Sequence, residues 1–81
     1  MEQRMRLYLR AAHYANTGEG ERIRKASGLS LRRMARLIGV DFTTLRSWEI
    51  GRTGWPRDEA AAARWVRELD ALARISSEEG K

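Results

Sequence analysis

At 81 residues with a formal charge of +5, the chain has room for one hydrophobic core and no second domain. The absence of cysteine excludes disulfides, thiol chemistry and every cysteine-containing zinc site, and His13 is the only histidine. With no convergent carboxylate pair, no catalytic, metal or cofactor site is expected, and no apolar run approaches the roughly 18 residues of a membrane span.

Residues 2–16, EQRMRLYLRAAHYAN, place Met5, Tyr8, Leu9, Ala12 and Ala15 at helical spacing, with Arg4, Arg6 and Arg10 elsewhere. This predicts a first amphipathic helix ending near Asn16. Its apolar face is expected to pack on the domain rather than lie on a membrane surface. NTGEGE follows, with two glycines that each cost about 1 kcal/mol relative to alanine inside a helix, so the chain should break here. Thr17 can cap a second helix, whose positive end suits Glu19 and Glu21, and which runs to about Ser27 and stops at Gly28.

Ser30 is a good N-cap for LRRMARLI, and Gly39 follows that segment as a helix-ending residue should. Asp41 can then cap FTTLRSWEI, which ends at Gly51. Gly39 at positive φ would reverse the chain within three or four residues. Two helices would then cross steeply over a seam of Met34, Ala35, Ile38, Val40, Leu45 and Trp48. Ala35 is small because the second helix passes close by. RTGWP is a loop. Residues 58–75 give a final helix with Ala62, Trp65, Val66, Leu69, Leu72 and Ala73 on one face, and SSEEGK reads as frayed.

Charge is sorted along the chain. Residues 20–57 carry nine basic residues against three acidic ones, whereas residues 58–81 carry four against six. All basic residues except Lys25 and Lys81 are arginine, whose planar fork of donors suits phosphates and base edges. A uniformly solvated surface would not divide its charge this way, so a polyanionic partner is expected.

From about Glu21 to Pro56 the chain resembles the helix-turn-helix domain of the Cro/C1-type phage repressors, the Xre-like family. The matching residues are Arg24, Gly28-Leu29-Ser30, Ala35, Gly39, Val40, Leu45, the Trp48–Gly51 segment with Glu49, and Pro56. The resemblance implies an all-α, lambda-repressor-like bundle of five to six helices, with an extra N-terminal helix. Its expected parts are an N-terminal helix over 1–17, a helix-turn-helix core over 18–57, a packing or dimerisation helix over 58–76 and a tail over 77–81.

The same resemblance makes the helix over about 41–50 the recognition helix in the major groove of double-stranded DNA. The base-reading positions fall on Phe42, Thr43 and Ser47, with Arg46 beside them. Arg46 is suited to guanine, and Phe42 and the Thr43 methyl to thymine methyls. Phosphate contacts are expected from Ser30, Arg32, Arg33, Thr44, Arg52 and Arg57. The family pairs the positions of Arg24 and Glu49 as a partly buried ion bridge, which makes Glu49 scaffold.

Three positions depart from the family pattern. Leu31 replaces a glutamine that commonly braces a phosphate, Asp41 puts a negative charge at the DNA-facing cap, and Gly51 and Pro56 are separated by one residue more than is typical, with Trp55 in the lengthened loop. The expected function is a cytoplasmic, repressor-like transcription regulator acting as a homodimer through its first or last helix, with no membrane partner. The arginine and alanine usage fits a GC-rich actinobacterial or phage genome. The alternative is a protein-interaction module of the same fold, antitoxin-like or an adaptor.

Overall fold

The structure, a computed structural model, describes residues 3–51 and 59–79, with side chains over 5–51 and 59–75. Five helices form: α1 (Gln3–Thr17), α2 (Glu19–Ala26), α3 (Leu31–Ile38), α4 (Phe42–Glu49) and α5 (Glu59–Glu79). The described residues contain no strand. The last helix runs four residues beyond the expected end at 75, so the tail expected to fray from 77 is helical through Glu79.

The core is built around Trp65 of α5. Its ring is fully buried and meets Trp48 of α4 at 5.2 Å between centroids and Tyr14 of α1 edge-on at 6.2 Å. Met34, Ala35, Ile38 and Leu45 are buried with it, and Val40 packs partly buried against them, so the seam between α3 and α4 is as expected. On α5 the buried face is Ala61, Ala62, Trp65, Val66 and Leu69, continued by the partly buried Leu72 and Ala73. Leu31 is partly buried and also packs against this core.

The inward face of α1 differs from expectation. Ala11, Tyr14 and Ala15 are buried and Leu7 packs behind them, whereas Met5 and Leu9 are about half exposed at 49% and 55%. Apolar residues cover more than half the circumference of this helix, so spacing alone does not select a side. Polar contacts select it: the Tyr14 hydroxyl and Arg10 both donate to Asp70 on α5, and Tyr8 donates to Glu59 at 2.8 Å. Burial, and then the bond to Asp70, pushes the Tyr14 hydroxyl up to about 12, so it remains a donor throughout the neutral range.

The break between α1 and α2 is a single residue. Gly18, at φ 78°, takes the N-cap position expected of Thr17. Thr17 instead ends α1, its hydroxyl donating to the His13 carbonyl and accepting from the Glu19 N–H at 3.2 Å. Gly20 is no breaker at all; it lies inside α2, where a Cβ would come within 3.0 Å of the Trp65 ring. Trp65 is held on its other sides by Trp48 and Tyr14 and has little room to retreat. Gly20→Ala should therefore lower stability by about 1 kcal/mol, the strain of overpacking outweighing the gain in helix propensity. A thermal melt with a raised midpoint would contradict that account.

Candidate nucleic-acid interface

The geometry of the interface is set at residue 39. Gly39 adopts φ 78° and ψ 36°, a left-handed conformation that a side chain would strain. The N–H groups of Gly39 and Val40 both donate to the Ala35 carbonyl, at 2.9 and 3.0 Å. The Ile38 carbonyl, otherwise left over at the helix end, accepts from Nε of Arg64 on α5 at 2.9 Å. A side chain on residue 39 would also meet the Arg64 guanidinium at 3.2 Å. Arg64 is a structural participant that sequence reasoning missed. No local signal connects residue 64 to residue 38.

At the start of α3, Ser30 is extended and its hydroxyl oxygen accepts from the Arg33 N–H at 3.1 Å, a regular N-cap. No acidic side chain occupies the first turn. Arg32, Arg33 and Arg36 stand exposed beyond it and, with Ser30 and Leu37, line an open groove of about 530 Å³.

At the start of α4, Asp41 occupies the N-cap position with extended backbone, but its carboxylate makes no capping bond. The expected side-chain cap is thus absent, and the first-turn N–H groups depend on outside partners. Thr43, Thr44 and Arg46 are exposed, and Leu45, Trp48 and Glu49 face inward. Ser47 is half-buried and donates to the Thr43 carbonyl at 3.1 Å, so its hydroxyl proton is already committed. Phe42 does not fold into the core. It stays 40% exposed, with the Arg32 guanidinium 4.5 Å above its ring. Helical spacing puts Arg46 one turn along from Phe42 on the same face, so Arg32, Phe42 and Arg46 form a continuous strip. Arg52, Arg57, Trp55 and Pro56 lie outside the described residues.

Arg24 and Glu49 form the bridge that holds α2 to the end of α4. Two bonds of 2.7 and 3.1 Å join guanidinium and carboxylate, and a third Arg24 N–H donates to the Leu29 carbonyl at 2.9 Å. Both side chains are buried. The other ion pairs among the described residues are Arg10–Asp70, which joins α1 to α5, and the exposed Arg22–Glu19 and Lys25–Glu21 within α2. Among the described residues, Arg32, Arg33, Arg36 and Arg46 carry no ion pair. Arg6, Arg67 and Arg74 are unpaired as well, so the signal is the grouping on α3 and α4 rather than the lack of partners. The described residues bring together no group of three or more His, Asp or Glu side chains, and none of their helices is long and apolar enough to cross a membrane.

Comparison with known proteins places these elements. A helix-turn-helix family model, that of the Cro/C1 type, matches residues 21–63, more than half of the chain, from within α2 to the first turns of α5. No curated protein and no solved structure gives a significant match.

Proposed function

Because the chain belongs to the Cro/C1-type helix-turn-helix family, a family of DNA-binding domains, we propose that it is a sequence-specific, repressor-like regulator that lays α4 in the major groove. The carrying observation is the cluster of unpaired arginines on α3 and α4, set around an exposed polar strip on α4. In this reading Arg46 donates to O6 and N7 of a guanine, and Phe42 and the Thr43 methyl meet thymine methyls. Ser47, its proton committed, offers an acceptor. Ser30, Arg33 and Thr44 face phosphates, joined by Arg52 and Arg57.

One such unit covers a short stretch of duplex, and useful specificity calls for two copies about one turn, roughly 34 Å, apart. A homodimer follows. Half-exposed Met5 and Leu9 on α1 and Ile75 on α5 support an interface through the first or last helix. These apolar residues equally support the second reading, a module of the same fold that binds another protein. A stable heteromeric partner covering α4 would favour that alternative.

Selection of bound sequences from a random duplex pool tests the proposal. Paired half-sites about one helical turn apart are expected. Arg46→Ala should relax preference at one base position by about 1–3 kcal/mol, whereas Arg33→Ala should weaken all sequences alike and reduce the salt slope by about one. Weak binding with no enriched sequence would overturn it.

A further inference from the structure

Arg32 and Phe42 sit at the beginnings of different helices, yet they touch. Arg32 is the second residue of α3 and Phe42 the first of α4, and the guanidinium lies 4.5 Å over the ring centroid. A cation held over an aromatic face loses much of its side-chain freedom but keeps its in-plane donors, which point outward from the edge of the stack. No carboxylate among the described residues occupies those donors. A phosphate contact needs only a positive charge at the right distance. A flat guanidinium held by a ring at the head of the reading helix supplies more: a fixed fork.

We infer that Arg32 and Phe42 act together as a base reader. The Arg32 edge donates to O6 and N7 of a guanine, and the part of the Phe42 ring left uncovered rests on the C5-methyl of a thymine in the adjoining base pair. The guanidinium and the ring lie 4.5 Å apart, close enough for the two to face neighbouring base pairs. The element read is a T–G step at the end of the half-site nearest the start of α4. This moves Arg32 from the phosphate-contacting set, where its place in the first turn of α3 would put it, into the specificity set. It rests on the DNA-reading function proposed above and adds a base position that Arg46 does not account for.

The test compares bound-sequence selections by the 81-residue chain and by Arg32→Ala, Arg32→Lys and Phe42→Leu, each checked by thermal melting. Arg32 and Phe42 are both exposed, so all three variants should fold. The wild type should enrich a T–G step in each half-site. Arg32→Ala should reduce the preference for its guanine about 10- to 100-fold. Arg32→Lys keeps the charge and the salt dependence but loses the fixed fork; because a lysine can also reach O6 and N7, it should retain part of the guanine preference that alanine loses. Phe42→Leu, by freeing the guanidinium, should weaken preference at both bases of the step.

If Arg32→Ala lowers affinity evenly for every sequence and leaves the guanine preference intact, Arg32 is a phosphate contact. The inference then fails while the DNA-reading function stands. If the wild type enriches no sequence, both fail together.

Discussion

Arg24→Ala is expected to destabilise the fold by about 3–5 kcal/mol, because it leaves the Glu49 carboxylate buried without its counter-charge. Glu49 is only 4% exposed, so water cannot take over the two bonds that Arg24 supplies. The Leu29 carbonyl loses its donor in the same change. For a domain of this size, total stability is of the order of 4–12 kcal/mol, so the variant should be largely unfolded under mild denaturant. The informative control removes both charges. Arg24→Met combined with Glu49→Leu should recover most of the loss, since an apolar pair of similar volume has no charge to strand. Urea denaturation of the single and double variants measures this. A single variant within 1 kcal/mol of wild type would show that the bridge is not structural.

Trp65→Ala should cost a similar amount, about 3–5 kcal/mol, for an unrelated reason. Trp65 is completely buried and touches the helices that flank it through Trp48, Tyr14 and Gly20. Its removal opens a cavity at the point where α5 meets α1, α2 and α4. Trp65→Phe should be much milder. It retains an aromatic ring against Trp48 and also deletes the indole N–H, which is buried and has no hydrogen-bond partner among the described residues. A buried donor without an acceptor costs roughly 1–3 kcal/mol, which partly offsets the smaller volume of phenylalanine. Equal losses for the two variants, read from denaturation midpoints, would show that ring packing is not what Trp65 contributes.

The parts of this fold readable from sequence are those governed by short-range rules. A helix-ending glycine at 39, a small residue four positions before it and apolar residues at helical spacing determine the α3–α4 seam without reference to anything distant. Arg24 and Glu49 required the family resemblance, because nothing local pairs residues 25 apart. Elsewhere several solutions satisfied the same local rule. The first helix has apolar residues around most of its girth, and the side that turns inward is marked by the bonds of Tyr14 and Arg10 to Asp70 and of Tyr8 to Glu59. Gly18 and Gly20 look alike on the page, yet one turns the chain and the other admits a tryptophan.

The candidate interface divides in the same way. The exposure of Thr43, Thr44 and Arg46 follows from helical phase once α4 is placed. Three features do not follow: the absent Asp41 cap bond, the commitment of the Ser47 proton, and the Arg32–Phe42 stack. Each depends on where one side chain settles, which helical phase does not determine. Arg32 and Phe42 were each legible as surface residues, but their contact is a property of the turn between the helices.

The hydrogen bonds that close this turn have a mechanical consequence. Ala35 accepts twice from within it, and Arg64 reaches over from α5 to hold Ile38, so the angle between α3 and α4 is fixed from both sides before any partner arrives. The ordering cost of that geometry is met when the chain folds rather than at the moment of association, which favours tight complexes. A rigid reader also has no means of accommodating an imperfect groove. In the proposed complex any bending or widening falls to the duplex itself, and the intrinsic pliancy of base pairs the protein never touches becomes part of its selectivity.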